Sequence, residues 1–341
     1  MRKMNLSNEP AAMRFAASAG RSRYAAIAWL GVACLCWGWS FTAMPMATAA
    51  LMPRAGEGSW SLLAVVSTFI AWRFWLAALL YAGLNWKSMR GFTRNDLLGG
   101  TAVGLSFAGG LFLQMSGLRY ALPSVSGFIT SMPVILLPLI QAFWLKRPPR
   151  NLMWLAACLA LTGLGIFAVF SEPAQTAKPP FRLFGELLTL LGTLFFTAQI
   201  LCVDRFGPCA HSGRLTTVMF VTTAVVATGV SLIAPGGAIF WGSAGSEALR
   251  SEPDLRLALI TTVLFSSTLA FHLMNRFQPR VTPTMAGVVY CLEPVFASVW
   301  SLAMDMEKMR PSLAAGGTFI LLALVLATHA QPPSPGEHPC A

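Results

Sequence analysis

The chain has 341 residues, of which 55% are hydrophobic and only 11% charged. A soluble domain carries about 25% charged residues, so these few could not cover a water-facing surface, and the mean hydropathy of +0.63 agrees. The composition excludes a cytosolic enzyme, a disordered chain and a secreted disulfide scaffold, and implies an integral membrane protein.

A helix needs about 20 apolar residues to cross the hydrocarbon core. Ten such runs are predicted, at roughly 24–46, 61–84, 97–117, 124–145, 152–170, 184–203, 215–235, 256–275, 282–303 and 313–330. Residues 1–23, with Arg2, Lys3, Arg14, Arg21 and Arg23, read as a disordered cytoplasmic tail. The basic stretch is long and the run after it is span-length, which argues against a cleaved signal peptide. The connections are mostly short, leaving no room for a soluble domain. Residues 331–341, with Pro332, Pro333 and Pro335, read as a second unstructured tail. Five of the seven cysteines (Cys34, Cys36, Cys158, Cys202 and Cys291) fall in apolar runs, where small apolar packing is their ordinary role.

Orientation follows from the basic residues. With the amino terminus inside, the inner segments hold 15 Lys and Arg and the outer loops hold 8. That split places both termini in the cytoplasm, and it explains the net charge of +11 more simply than nucleic-acid binding does.

The fourth and ninth spans look alike. One begins at Arg119 and carries Pro133-Val134; the other begins at Arg280 and carries Pro294-Val295. Both anchors recur at an offset of 161 residues. A duplicated unit of five helices follows, and five is odd, so the second copy enters the membrane from the opposite side. Inverted repeats are a recurrent design of secondary transporters. Proline inside a span frees a backbone carbonyl, which protein or water must satisfy in lipid. Paired prolines at equivalent depth therefore predict a central polar cavity.

The motifs in their order resemble the EamA family of the drug/metabolite transporter superfamily over about residues 24–330. Trp37-Gly38-Trp39-Ser40-Phe41 resembles its first-helix signature, and Arg73-Phe74 with Ala77-Ala78 its second-helix pattern. Gly117 to Val134 resembles the passage from the third helix to the fourth. Gly185-Glu186-Leu187-Leu188, Ser267-Thr268-Leu269-Ala270-Phe271, Val281-Thr282-Pro283-Thr284 and Leu292-Glu293-Pro294-Val295-Phe296 resemble second-copy motifs. One departure stands out: the family's Gly-Glu-Arg corner survives as a trace in Met306-Glu307-Lys308 and loses its acid in Lys146-Arg147-Pro148. The resemblance implies an all-α membrane protein of ten helices in two inverted repeats. These would be residues 24–170 and 184–330, flanked by the tails 1–23 and 331–341. It also implies export of a small metabolite, notably an amino acid or analogue, across the inner (plasma) membrane.

Candidate substrate-binding residues are Trp37, Ser40, Arg73, Gln114, Thr130, Pro133, Gln199, His272, Tyr290, Glu293 and Pro294. Arg73 and Glu293 each lie about twelve residues into a span. A mid-membrane arginine costs about 2.5–3.5 kcal/mol on insertion scales, so a partner is expected. Either Arg73 and Glu293 pair, directly or through water, or Arg73 binds a substrate carboxylate and Glu293 carries a coupling proton. The pair is the expectation, because two lone charges at similar depth are each costly. Buried Gln114 and Gln199 are costly unless hydrogen-bonded, and His272 is of the one side-chain type whose ordinary pKa allows a charge change near neutral pH. Gly100 and Gly104 form a G-x-x-x-G for close helix packing.

No catalytic motif is present, and without a P-loop lysine the chain does not consume ATP. No catalytic residue, metal site or cofactor is expected. The expected partners are a small-molecule substrate, membrane lipid and, as one oligomeric option, a second copy in a homodimer; no nucleic acid is expected. A carrier of drugs or nucleotide-linked sugars, and a non-transporting scaffold or intramembrane enzyme, stay open as alternatives.

Overall fold

The computed structural model describes residues 11–55, 61–117, 120, 123–144, 146, 148–170, 182–305 and 309–330. The tails at 1–10 and 331–341, Arg119, Arg147 and the Met306-Glu307-Lys308 corner lie outside them. The described residues form helices and turns, with no strand among them. Among the described residues eight helices are long and apolar enough to cross a membrane, and two shorter apolar helices cover Phe128–Phe143 and Asn151–Ile166. With that hydropathy in so many helices, the chain is a multi-pass membrane protein.

The first span is longer than expected. Helix α1 runs Ala11–Leu51 and passes through Pro45, so its start overlaps the segment read as a disordered tail. Helices α2 (Ser61–Leu84) and α3 (Arg94–Gly117) match the second and third spans. Thr93 and Asp96 start α3 as a capping box: Thr93 N donates to Asp96 Oδ2 at 2.8 Å, and Asp96 N donates to Thr93 Oγ1 at 3.2 Å.

The fourth span is not one helix. It breaks into α4 (Pro123–Thr130) and α5 (Pro133–Phe143), with Ser131 and Met132 in a turn. Met132 keeps helical angles (φ −58°, ψ −18°) and the turn is tightened, with Ser131 N and Met132 N donating to Phe128 O and Ile129 O, so the interruption falls where Pro133, lacking an N–H, cannot continue the ladder of bonds. Helices α6 (Asn151–Phe170), α7 (Arg182–Phe206) and α8 (Ser212–Ile233) follow. The connection near 236–255 is built rather than loose: it holds a short 3-10 turn, Ala238–Trp241, and helix α9 (Ser243–Ser251).

The eighth span is three pieces: α10 (Pro253–Thr261), a π-helical stretch at Thr262–Leu269, and α11 (Ala270–Phe277). The ninth breaks as the fourth does, into α12 (Pro283–Tyr290) and α13 (Leu292–Ala303), three residues before Pro294. Thr282 caps α12 by accepting from Met285 N at 3.3 Å. Helix α14 (Pro311–Ala330) closes the bundle.

Small residues set the packing. The α3 glycines Gly100 and Gly104 lie against α8; a Cβ on them would sit 2.7 Å from Leu215 O and 2.8 Å from Met219 O. The G-x-x-x-G is therefore a helix-packing seam, as read. Gly38 does the same for α1 on α13, where a Cβ would lie 2.8 Å from Ala297 N. Beyond these seams, α2 packs on α8, α3 on α7, α6 on α14, α5 on α12, and α1 along the eighth and ninth spans.

Candidate functional site

The middle of the bundle is an aromatic column with polar groups around it. Phe271 of α11 is its hub, with ring centroids 5.3 Å from Trp37, 5.0 Å from Phe107 and 5.9 Å from both Phe74 and Phe220. Trp37 also meets Tyr290 edge-on at 5.4 Å. Helices α1, α2, α3, α8, α11 and α12 thus converge through rings, whose mutual contacts add about 0.5–1.5 kcal/mol per pair beyond area burial.

Arg73 lies beside this column. It is 6% exposed, and its Nε donates to Ser267 Oγ at 2.6 Å. The guanidinium also lies 5.3 Å from the centroid of the Phe74 ring. Ser267 can meet it because of the π-helical stretch, whose wider turn changes which residues face which neighbour. Ser266 points to α1 and donates to Cys36 O at 2.5 Å, while Ser267 points to α2. Interhelical hydrogen bonds inside membranes average about 0.6 kcal/mol, with a maximum near 1.7. The Ser267 bond therefore does not offset the cost of placing a guanidinium there. Among the described residues it is the single side-chain hydrogen bond Arg73 makes, so both Nη groups are left for a ligand or water.

The expected Arg73–Glu293 pair is not formed. Among the described residues the ion pairs within 4 Å are Arg54–Glu252 and Arg214–Asp96, each at 3.0 Å. Glu293 instead occupies the first turn of α13. A helix amino terminus favours an anion by about 0.3–1 kcal/mol at exposed sites and more when partly buried. The break in the ninth span creates that terminus and supplies what a cationic partner would have supplied. The half-buried Glu293 lies within electrostatic reach of Cys34, Tyr290 and Cys291.

Other candidates are drawn into internal bonds. Tyr290 OH donates to Gln278 Oε1 at 2.7 Å, and Gln278 Nε2 donates to Ile200 O at 2.8 Å. Gln199, 7% exposed, places Nε2 3.5 Å from Met274 Sδ. Thr130 Oγ1 donates to Ser126 O of its own helix at 3.0 Å. His272 Nδ1 meets Tyr81 OH at 2.6 Å. Gln114 is half-buried on α3, its backbone N close to Gly192 of α7. Pro133 is buried and Pro294 half-buried at the two helix breaks.

Among the described residues, Trp37 Nε1, Ser40 Oγ and Thr42 Oγ1 of α1 and Thr268 Oγ1 of the π-helical stretch are sealed from solvent without a hydrogen-bond partner, whereas buried polar atoms are nearly always bonded. Two residues escaped the sequence reading. Tyr81 lies on the Arg73 face at i+8, a spacing that could have found it; Gln278 lies just past the eighth span, in a turn where nothing marked it.

Comparison with known proteins bears on the whole. Residues 183–328 match the EamA-like transporter family. An uncharacterized transporter of Archaeoglobus fulgidus is 26% identical over 306 residues, covering 88% of this chain and 84% of that protein. A solved structure described only as a crystal structure of a protein superposes with a TM-score of 0.66 at 18% identity, covering 90% of this chain and 97% of that one. That last likeness shows a shared fold. The chain resembles EamA-type transporters of the drug/metabolite transporter superfamily, and its residues 183–328 carry an EamA-like transporter family domain.

Proposed function

We propose that the protein is a secondary transporter that exports a small metabolite, an amino acid or analogue, by alternating access between two inverted five-helix repeats. The repeats are residues 24–170 and 184–330, both termini are cytoplasmic, and the membrane is the inner (plasma) membrane. The observation that carries this reading is the pair of broken helices. The fourth and ninth spans each break just before prolines 161 residues apart, and they pack on each other at the break, where a Cβ on Gly287 would lie 2.9 Å from Leu137 Cδ1 and 3.5 Å from Pro133 O. Broken helices meeting at mid-bundle are how transporters present half-helix termini to a solute.

The helix pairing supports the same reading. Exchanging the first five spans for the last five maps α2–α8 and α6–α14 each onto itself. It maps α1 against the eighth and ninth spans onto α7 against α3 and α4. The match of 183–328 to an EamA-like domain supports the second unit.

In this account Arg73 binds the substrate carboxylate through its free Nη groups, with Trp37 and Phe271 as apolar walls. Glu293, Gln114 and Ser40 complete the lining. An efflux screen of radiolabelled metabolites on an overexpressing strain tests the proposal. Faster loss of one or more amino acids than from the parent strain is expected. Faster loss of drugs or nucleotide-linked sugars alone would replace the substrate class, and no difference for any solute would remove the transport reading.

A further inference from the structure

An open cavity of about 680 Å³ enters the bundle at the end that holds Asn85 and Ser88, and it stops short of Arg73. Ser212 and Gly213 of α8 and His272 and Asn275 of α11 also line it. The same order runs inward along two neighbouring helices. On the α2 side, from the cavity, it is Asn85, Tyr81, Phe74 and Arg73; along the eighth span it is Asn275, His272, Phe271 and Ser267. The two series are tied level by level. Tyr81 OH meets His272 Nδ1 at 2.6 Å, the rings of Phe74 and Phe271 lie 5.9 Å apart, and Arg73 Nε donates to Ser267 Oγ at 2.6 Å. Aromatic rings therefore stand between the cavity and the guanidinium.

Four helices supply them. Phe271 of α11 touches Phe74 of α2, Phe107 of α3 and Phe220 of α8, and Phe74 lies 5.6 Å from Phe107 and 5.7 Å from Phe220. Phe74, Phe220 and Phe271 are buried and Phe107 is half-buried. Tyr81 adds a ring on the cavity side, edge-on to Phe220 at 5.7 Å. Helix packing alone does not call for this cluster. Glycines bring α3 close to α8, but α3 makes little backbone contact with α2 or α11. The ring of Phe107 crosses that gap to reach Phe271 at 5.0 Å, so side chains fill a space that the helices leave open. Phe271 also follows almost directly on the π-helical stretch at Thr262–Leu269. Such stretches are rare and recur at functional sites, and a change in winding there turns the Phe271 ring.

We propose that this cavity is the way to Arg73 from its end of the bundle, and that Phe74, Phe107, Phe220 and Phe271 are the barrier that closes it, with Phe271 as the ring that moves to open it. The use of the barrier rests on the transport reading, on which it shuts one side of the path while the solute passes the other; the path and its closure are properties of the packing. Apolar constrictions close a path by excluding water and ions, and no bond has to break when the rings part.

The test is thiol accessibility. Full-length Ser267→Cys protein in membrane vesicles of either orientation is treated with a membrane-impermeant methanethiosulfonate. The rate is the increment over the same chain with Ser267 retained. With all four rings in place, modification from the cavity side should be slow. Phe271→Ala should speed it by about tenfold or more, because opening no longer has to separate four ring contacts. Phe107→Ala removes a less buried ring and should act in the same direction, which keeps the test decisive if Phe271→Ala does not fold. Phe240→Ala, a buried ring in the 236–255 connection outside the cluster, should leave the rate unchanged. Fast modification from the cavity side with all four rings intact, or rates in both ring variants equal to that of Phe240→Ala, would overturn the proposal. Unchanged rates beside intact wild-type amino-acid exchange would remove the barrier and leave the transport reading standing. Faster rates in a chain that moves no solute would keep the path and its closure and remove the transport reading.

Discussion

Arg73 of α2 donates to Ser267 across the seam with the π-helical stretch at 2.6 Å, and forms no ion pair with Glu293. Each deep charge is therefore met on its own terms, Arg73 by a hydroxyl and an aromatic face, Glu293 by the start of α13. The two should be energetically independent. In a double-mutant cycle of Arg73→Ala and Glu293→Gln, scored by thermal unfolding in detergent, the coupling should stay below about 0.5 kcal/mol, as for separated sites. A coupling of several kcal/mol would restore the ion pair.

The glycine seams give predictions of opposite sign. At Gly38 a Cβ meets backbone at 2.8 Å and 2.9 Å across the α1–α13 contact. Gly38→Ala should lower stability by about 1–3 kcal/mol, the usual cost of overpacking. At Gly83 of α2 an added Cβ would meet nothing within 4 Å, so Gly83→Ala should leave stability unchanged or raise it by about 0.5–1 kcal/mol. Parallel melting curves decide; equal losses in both would contradict the seam.

The two ion pairs should differ in weight. Asp96 is wholly buried and Arg214 18% exposed, whereas Arg54 and Glu252 are 24% and 35% exposed. Asp96→Ala removes the group that ties the α2–α3 connection to the start of α8, and should cost about 3–5 kcal/mol. Glu252→Gln should cost about 0–1 kcal/mol. Chemical unfolding of the purified variants measures both.

Membrane topology can be read directly. Reporter fusions at the carboxyl terminus and within 236–255 should report opposite sides, with the carboxyl terminus cytoplasmic. The same side for both would refute the ten-span arrangement.

Much of this was legible in the sequence because lipid imposes one rule on every span: the backbone must be satisfied within the helix. Run length therefore located the helices, and Pro133 and Pro294 marked the interrupted ones. What escaped was local. Whether a proline kinks or breaks a helix depends on the packing around it, and both spans chose the break. That choice in turn misled the reading of Glu293, since the helix terminus that accommodates it exists only after the break. The π-helical stretch carries no strong signature beyond its Ser and Thr cluster, so the meeting of Ser267 with Arg73 was not foreseeable from spacing. Charge at depth identified Arg73 as a residue in need of a partner, but not which partner it has.

The most direct test of the central claim is flux. The full chain is reconstituted into proteoliposomes loaded with a panel of unlabelled amino acids, and exchange against the labelled form is followed beside Arg73→Gln vesicles of equal protein content and intact circular dichroism. Saturable exchange of at least one amino acid by the wild type, reduced about tenfold or more in Arg73→Gln by loss of a charged hydrogen bond, is the predicted result. Exchange by Arg73→Gln equal to that of the wild type, or wild-type vesicles no faster than empty ones across the panel, would contradict it.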